Sequence, residues 1–241
     1  MTIARRIHNL LHPKLGCIVM LHQVKEDYMN YEPRTKNSMM ITPAVLEELI
    51  CSYREKGWRF MSMDDVVHIS PFTSHLWFHK VADHSSPFIS LTFDDGYLDT
   101  YTTAYPLLKQ LQVPFCVYMT RDFYRGTARP QWDNDAKMMN IEQMQKLGHD
   151  PLCTIGAHTC SHPRLSSLTK EEQWREMTEC KKDLEQLLGK EVRHLAYPHG
   201  DYNQMTIQIA TELGFRTAVT TSGRFVRSDS QLMELDRIVT F

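Results

Sequence analysis

The sequence predicts an α/β fold in which a parallel sheet is wrapped by helices, either left open or closed as a (β/α) barrel. Three observations carry the prediction. The chain has 241 residues, 42% of them apolar, which is one domain's worth of core at barrel size. Short apolar runs alternate with helically spaced stretches along most of its length. No internal repeat, low-complexity stretch or linker divides it, so residues 1–241 read as one unit.

Taken in order, Ile3–Leu11 carries Arg5 and Arg6 and reads as a short capping helix rather than a membrane-surface one. Gly16–Leu21 is an apolar run of buried-strand length. Thr42 followed by Pro43 marks a helix start, with Val45, Leu46, Leu49, Ile50 and Tyr53 at helical spacing until Gly57. Trp58–Met61 is a candidate strand, and 68–87 an irregular excursion. Phe88–Phe93 is the strongest strand of the chain. Leu98–Leu111 reads as a helix kinked at Pro106. A strand over Pro114–Met119 and a polar loop over 121–137 follow. Asn140 with Gln143, and Thr169 with Glu172, are capping boxes; the second opens a helix running to Leu188 before Gly189. Strands at Thr154–Ala157, His194–Tyr197 and Arg216–Thr220 flank a helix at Gln204–Leu213, and the tail Leu235–Phe241 is a last candidate strand.

Composition excludes several classes. Lys plus Arg is 27 against 29 Asp plus Glu, a formal charge of −2, which is no nucleic-acid footprint. The six cysteines form no CxxC pair and lie mostly in or beside apolar runs, so they read as buried free thiols. No run approaches the ~20 apolar residues of a transmembrane helix. The basic start lacks a long apolar stretch and a cleavage site. Together these point to the cytoplasm, peripheral to a membrane at most.

The chemistry-bearing residues fall at predicted strand ends. His22 follows the first strand, Asp94 and Asp95 follow Phe88–Phe93, His158 closes the Thr154–Ala157 strand with His162 in the next loop, and His199 follows Leu195-Ala196-Tyr197-Pro198. In parallel α/β folds those ends share one face, where sites are built. Two carboxylates on one turn can take different surroundings, one binding a cation and the other staying free as a base. Two histidines and one aspartate, with positions left open, suit Zn²⁺ or a similar divalent ion. Taken singly, each motif is more often structural: a DDG is usually a turn, and a strand-end histidine is usually a hydrogen-bonded one. His8, His12, His68, His75, His79, His84, His149 and His194 read as surface, loop or packing residues. Trp132, Tyr97 and Tyr202 are candidates for stacking on sugar rings, with packing as the equal alternative.

These same residues resemble the polysaccharide deacetylase family, also called carbohydrate esterase family 4 or the NodB-homology domain. Thr92-Phe93-Asp94-Asp95-Gly96 resembles its TFDDG motif, and His158-Thr159-Cys160-Ser161-His162 its H-(S/T)-x-x-H motif. Ala196-Tyr197-Pro198-His199-Gly200 resembles its Pro-aromatic-Gly loop more loosely. The resemblance covers about Phe88 to Thr221. It implies a distorted (β/α)₇ barrel and hydrolytic removal of N-acetyl groups from an amino-sugar glycan. It further implies a divalent metal, Zn²⁺ first with Co²⁺ or Ni²⁺ as alternatives, on Asp95, His158 and His162. Asp94 becomes the general base, and a backbone N–H near Tyr197 joins in oxyanion stabilisation.

Two departures follow. The family's Arg of the third motif is replaced by Ala196, and no histidine follows His199 to supply the usual acid. Met20-Leu21-His22-Gln23-Val24 resembles the YHxV strand of a permuted subgroup acting on exported poly-N-acetylglucosamine and on envelope or capsular glycans, and Leu235-Asp236-Arg237-Ile238 resembles its ending. By that likeness His22 is the acid, with His199 competing, and Arg237 orients Asp94. The alternatives are a catalytically silent glycan-binding module, a glycosidase, or a metal-dependent phosphoesterase. Neighbouring carboxylates suit a glycosidase poorly, since its pair stands ~5–10 Å apart.

Overall fold

The fold is taken from a computed structural model, which describes residues 13–26, 40–69, 86–133 and 135–239. The segment Ile3–Leu11 and His8, His12, His75, His79 and His84 lie outside the described residues.

Strand β1 spans Lys14–Leu21, and its last six residues are buried. The short β2 (Gln23–Val24) pairs in parallel with β3 (Met40–Ile41) in a separate ribbon that two-residue strands do not announce in a sequence. Helix α1 (Pro43–Glu55) starts where expected, the Thr42 hydroxyl accepting from the Val45 N–H at 3.2 Å. β4 is Arg59–Phe60, shorter than predicted, and α2 (Met63–Val66) begins with a Ser62/Asp65 capping box that went unread. β5 covers Phe88–Phe93 as predicted and is buried at every position, as a central parallel strand covered on both faces should be. β1 and β5 run together from the Gly16–Phe88 pair to Leu21–Phe93. Only glycine fits at 16, because a Cβ there would stand 2.3 Å from the Phe88 carbonyl oxygen.

The predicted helix over 98–111 is present, helical over 98–110, and what is corrected is the kink expected at Pro106. A π-helical stretch, Thr100–Ala104, leads into α3 (Tyr105–Gln110). Pro106 has no N–H and its ring crowds the carbonyl four residues earlier; the wider turn, with the Tyr105 N–H on the Thr100 carbonyl, opens the coil ahead of that conflict where a kink was expected. The polar loop over 121–137 is corrected too. It begins with a helical turn, α4 (Arg121–Tyr124), whose Phe123 and Tyr124 are buried.

β6 (Phe115–Met119), α5 (Ile141–His149), β7 (Cys153–Ala157), α6 (Lys170–Leu188), β8 (His194–Ala196), α7 (Gln204–Glu212) and β9 (Thr217–Val219) complete the alternation. The two predicted capping boxes are present, and Gly189 stops α6 in the left-handed region at φ 65°. β10 (Val226–Arg227) pairs antiparallel with β1. Among the described residues of the tail, strand β11 covers Arg237–Ile238, parallel to β1. Leu235 just before it bridges Val219 of β9.

The sheet order β10-β1-β5-β6-β7-β8-β9 is therefore joined edge to edge by residues 235–238. The result is a distorted (β/α)₇ barrel. Its outer core packs strand residues such as Val19, Leu91 and Val117 against Leu46, Leu108 and Met177 of the helical layer. Its inner core holds the alternate residues Ile18, Phe88, Cys116 and Tyr118, with Met63 and Val66 of α2 plugging the N-terminal mouth. His194, read as a packing residue, ties that plug to the sheet: Nδ1 meets Thr217 Oγ1 at 2.8 Å and Nε2 meets Asp64 Oδ1 at 3.1 Å. All six cysteines are free, and only Cys51 is exposed. Among the described residues no helix is long and apolar enough to cross a membrane.

Candidate active site

The C-terminal mouth of the barrel collects the residues that the strand ends promised. β5 finishes at Phe93, and the Asp94 N–H donates to the Leu21 carbonyl of β1 at 2.9 Å. The chain then turns through Asp95 (φ 69°) and Gly96 (φ 82°). A left-handed pair of this kind reverses direction within two residues, so both carboxyls stay at the mouth although neighbouring strand residues alternate faces. Both are almost wholly buried, at 2% and 1% exposure.

Their surroundings differ sharply. Arg237, fully buried on β11, forks onto Asp94: Nη1 to Oδ1 and Nη2 to Oδ2, each 2.7 Å. The same guanidinium donates through Nε to the Thr220 carbonyl at 2.9 Å and through Nη1 to Thr92 Oγ1 at 3.1 Å. Burial alone would push the Asp94 carboxyl up, but the Arg237 charge and hydrogen bonds, with His158 adding to them, hold it well below the usual carboxylate range. Asp94 is ionised throughout the physiological range. Asp95 has no such partner. Neither of its carboxylate oxygens has a hydrogen-bond donor. Burial, then the adjacent Asp94 charge, pushes its carboxyl well above the usual range.

What faces Asp95 instead is a set of ring nitrogens. His158 Nε2 lies 3.6 Å and His162 Nε2 3.5 Å from Asp95 Oδ1, too far for good hydrogen bonds. The three ligand atoms lie within 4.8 Å of one another. His158 Nδ1 donates to the Ala196 carbonyl at 2.8 Å, which leaves its lone pair on Nε2, aimed at the gap. Burial lowers both imidazoles, His162 to about 2, keeping them in the neutral, ligating form. Edges of a tetrahedral site with Zn–N and Zn–O bonds of ~2.0–2.1 Å are about 3.3 Å. The spacing, the two orphaned carboxylate oxygens and the aimed lone pairs fit a divalent cation.

Around this group stand the remaining predicted residues. His22 follows β1, with Nε2 4.0 Å from Asp95 Oδ2. Its Nδ1 is buried without a partner, and burial lowers the ring to about 4. His199 is exposed on a tight turn (φ 59°), its ring centroid 4.5 Å from that of His162. Tyr197 is at the mouth, yet its own donors are engaged: the N–H with the Val219 carbonyl at 3.2 Å and the hydroxyl with the Met233 carbonyl at 3.0 Å. Of the three aromatics considered for sugar stacking, Trp132 is 53% exposed and packs 4.8 Å from the His162 ring. Tyr97 is buried and accepts from Trp132 Nε1, while Tyr202 stacks on Tyr197.

One residue of this neighbourhood was missed from the sequence. Glu176 of α6, 8% exposed, accepts from the N–H groups of Cys160 and Ser161 at 2.9 Å each and from Ser161 Oγ at 2.8 Å. Its signal was available. Glu176 sits on the helix stripe with Gln173, Met177, Cys180 and Leu184, all buried, and a carboxylate on such a stripe needs donors.

Comparison with known proteins follows the same line. A family model for polysaccharide deacetylases matches residues 82–218. The Bacillus subtilis protein YxkH is 27% identical over 170 residues, 70% of this chain and 57% of that one. The peptidoglycan-N-acetylmuramic acid deacetylase PdaA of the same organism is 28% identical over 131 residues, 54% of this chain and 44% of PdaA. The chain thus spans about half the length of the curated relatives it matches. Among solved structures, the Streptococcus pyogenes deacetylase PplD in complex with acetate superposes with a TM-score of 0.75 at 24% identity, covering 93% of this chain and 92% of PplD, which shows a shared fold.

Proposed function

We propose that this chain, which belongs to the polysaccharide deacetylase family, removes N-acetyl groups from an amino-sugar glycan by cation-assisted hydrolysis of the amide. The observation that carries the reading is the contrast between the two aspartates. Asp94 is forked by Arg237, while Asp95 is orphaned and faces the Nε2 atoms of His158 and His162.

Asp95, His158 and His162 would hold the cation. When bound it supplies a Lewis acid for the acetamide carbonyl and lowers the pKa of water at the site. The other steps fall to the chain's own groups. Asp94, kept ionised by Arg237, takes the proton of the attacking water. Oxyanion stabilisation falls to an N–H on the Tyr197 loop. Since Tyr197's own N–H serves the sheet and residue 198 is a proline, the next N–H is that of His199. As the carbon–nitrogen bond breaks, His22, neutral at rest because burial lowers its ring to about 4, relays to the leaving amine the proton that Asp94 took from the water, and the products are acetate and a free amino sugar. His199 is the competing acid. Trp132, half-exposed beside His162, presents an apolar face for a sugar ring. The relative PdaA is a peptidoglycan-N-acetylmuramic acid deacetylase, which supports an N-acetylated glycan as the substrate class.

Acetate release from N-acetylglucosamine oligomers and from peptidoglycan, with and without chelator, tests the reading. Activity is expected to disappear with chelator, return with Zn²⁺ or Co²⁺, and fall about 10²–10⁴-fold in Asp94→Asn. His22→Ala should lower turnover with cation content intact, and the same result in His199→Ala alone would move the acid role there. Undiminished release by the chelated protein or by Asp94→Asn would overturn the mechanism.

A further inference from the structure

The loop that carries both candidate histidine ligands is held in an uncommon shape. Thr159 and His162 have φ of 66° and 61°, the left-handed region that non-glycine residues enter at a cost unless their surroundings hold them there. Nearly every backbone polar group between them has a partner outside the loop. The carbonyls of Thr159 and Cys160 accept from the N–H groups of Arg121 and Asp122 at the start of α4, at 3.1 and 2.9 Å. The N–H groups of Cys160 and Ser161 both donate to one oxygen of Glu176, and the Ser161 hydroxyl donates to the other. The His162 N–H closes on Thr159 Oγ1 at 3.1 Å. Consecutive N–H groups presented by such a turn form a concave nest for an anion. Here the anion is the carboxylate of Glu176, itself fixed on a 19-residue helix.

We propose that Glu176 is a positioning residue for His158 and His162, and that the tightness with which the site holds its cation depends on it. The proposal rests on the cation-site reading given above. Glu176 touches neither Asp95 nor a reacting atom. It acts by holding Cys160 and Ser161, two of the three residues between the histidines, so that the Nε2 atoms stay 3.6 and 3.5 Å from the same oxygen of Asp95. A leucine cannot replace it, because it offers no acceptor to the two buried backbone N–H groups. Loss of such an outer partner typically weakens cation affinity 10–100-fold.

The test is a Co²⁺ titration of the metal-free protein, followed by visible absorption and by calorimetry, for wild type, Glu176→Leu and Ser161→Ala, alongside thermal unfolding of each without metal. Glu176→Leu is expected to bind Co²⁺ about 10–100-fold more weakly, with an altered absorption band, while the metal-free protein still unfolds cooperatively. Ser161→Ala, which removes a single hydrogen bond at an exposed side chain, is expected to weaken binding about 5-fold. Should Glu176→Leu fail to fold, Ser161→Ala decides alone, and unchanged affinity in it overturns the proposal. Wild-type affinity and spectrum in a folded Glu176→Leu overturn it as well. If wild type itself binds no Co²⁺, the cation-site reading falls and this proposal with it, an outcome distinct from equal binding by wild type and variants.

Discussion

Asp94 and Asp95 are chemically identical neighbours, and nothing local in the sequence distinguishes them. The motif shows that two carboxylates share a turn; which one is proposed as the base follows from a guanidinium 143 positions away on one side and an absent donor on the other. The resemblance to a permuted subgroup was the only route from the sequence to Arg237, because spacing carries no information over such a distance. The pair also makes a stability prediction. Arg237→Met leaves a buried carboxylate without its partner, expected to cost about 3–5 kcal/mol. At ~2–4 °C per kcal/mol for a chain of this size, the unfolding midpoint should fall by roughly 10 °C in a calorimetric scan, with turnover lost as Asp94 loses its orientation. The Asp94 carboxyl is depressed in the folded state, so its contribution is present above the unfolded value near 3.9 and is lost as pH falls toward the folded one. The variant's deficit should therefore be largest at neutral pH. A midpoint within 2–3 °C of wild type at pH 7 would remove Arg237's hold on the base.

Elements with strong periodicity were legible, and elements made by tertiary constraint were not. Phe88–Phe93 and Lys170–Leu188 match their sequence signals because an all-apolar run and a capping box with a terminal glycine are local chemistry. The β2–β3 ribbon is two residues long on each side, below any pattern. The π-helical stretch ahead of Pro106 shows a proline acting through the turn before it rather than through a kink. That stretch is preceded by Asp99, which ties it to the ribbon by accepting from the Val24 N–H at 3.2 Å. Burial raises the Asp99 carboxyl to about 6, the Val24 N–H opposing this in part. A raised acid has the opposite sign from Asp94. The native state keeps the proton that the unfolded chain has already released, so stability falls as pH rises from about 4 to about 6. Asp99→Asn keeps the acceptor and deletes the titration. It is expected to be more stable than wild type at pH 7, by roughly 3 kcal/mol, and to lose most of that advantage by pH 4. An advantage independent of pH would show that Asp99 does not titrate as its burial dictates.

Across the whole molecule, the alternation of strands and helices was enough to place the histidines and aspartates on one face, since every parallel strand presents its C-terminal end there. Closure of the barrel was expected from the family resemblance and a candidate strand over Leu235–Phe241, but the pairing that makes it was not legible, because it takes only a few residues. Residues 235–238 form the seam. Leu235 exchanges hydrogen bonds with β9, its N–H to the Ala218 carbonyl and its carbonyl from the Thr220 N–H, both 2.9 Å. Arg237 and Ile238 pair with only two residues of β1. Six consecutive pairs join β1 to β5, and five join β6 to β7. With each hydrogen bond contributing about 1 kcal/mol net, the seam should open at roughly 2–4 kcal/mol less than the middle of the sheet. Tenfold corresponds to about 1.4 kcal/mol, so the Leu235 amide should exchange with solvent deuterium roughly 10²-fold faster than those of Val117 or Tyr118 on β6. Because the seam also carries the guanidinium that forks onto Asp94, opening it removes the partner of that carboxylate. Arg237→Met should therefore speed exchange at Leu235 and at Gly223, whose N–H donates to the Arg237 carbonyl at 2.9 Å, more than on β6. Equal protection at the seam and in β6 would mean that the barrel opens only as a unit, and that Asp94 loses its partner only on global unfolding.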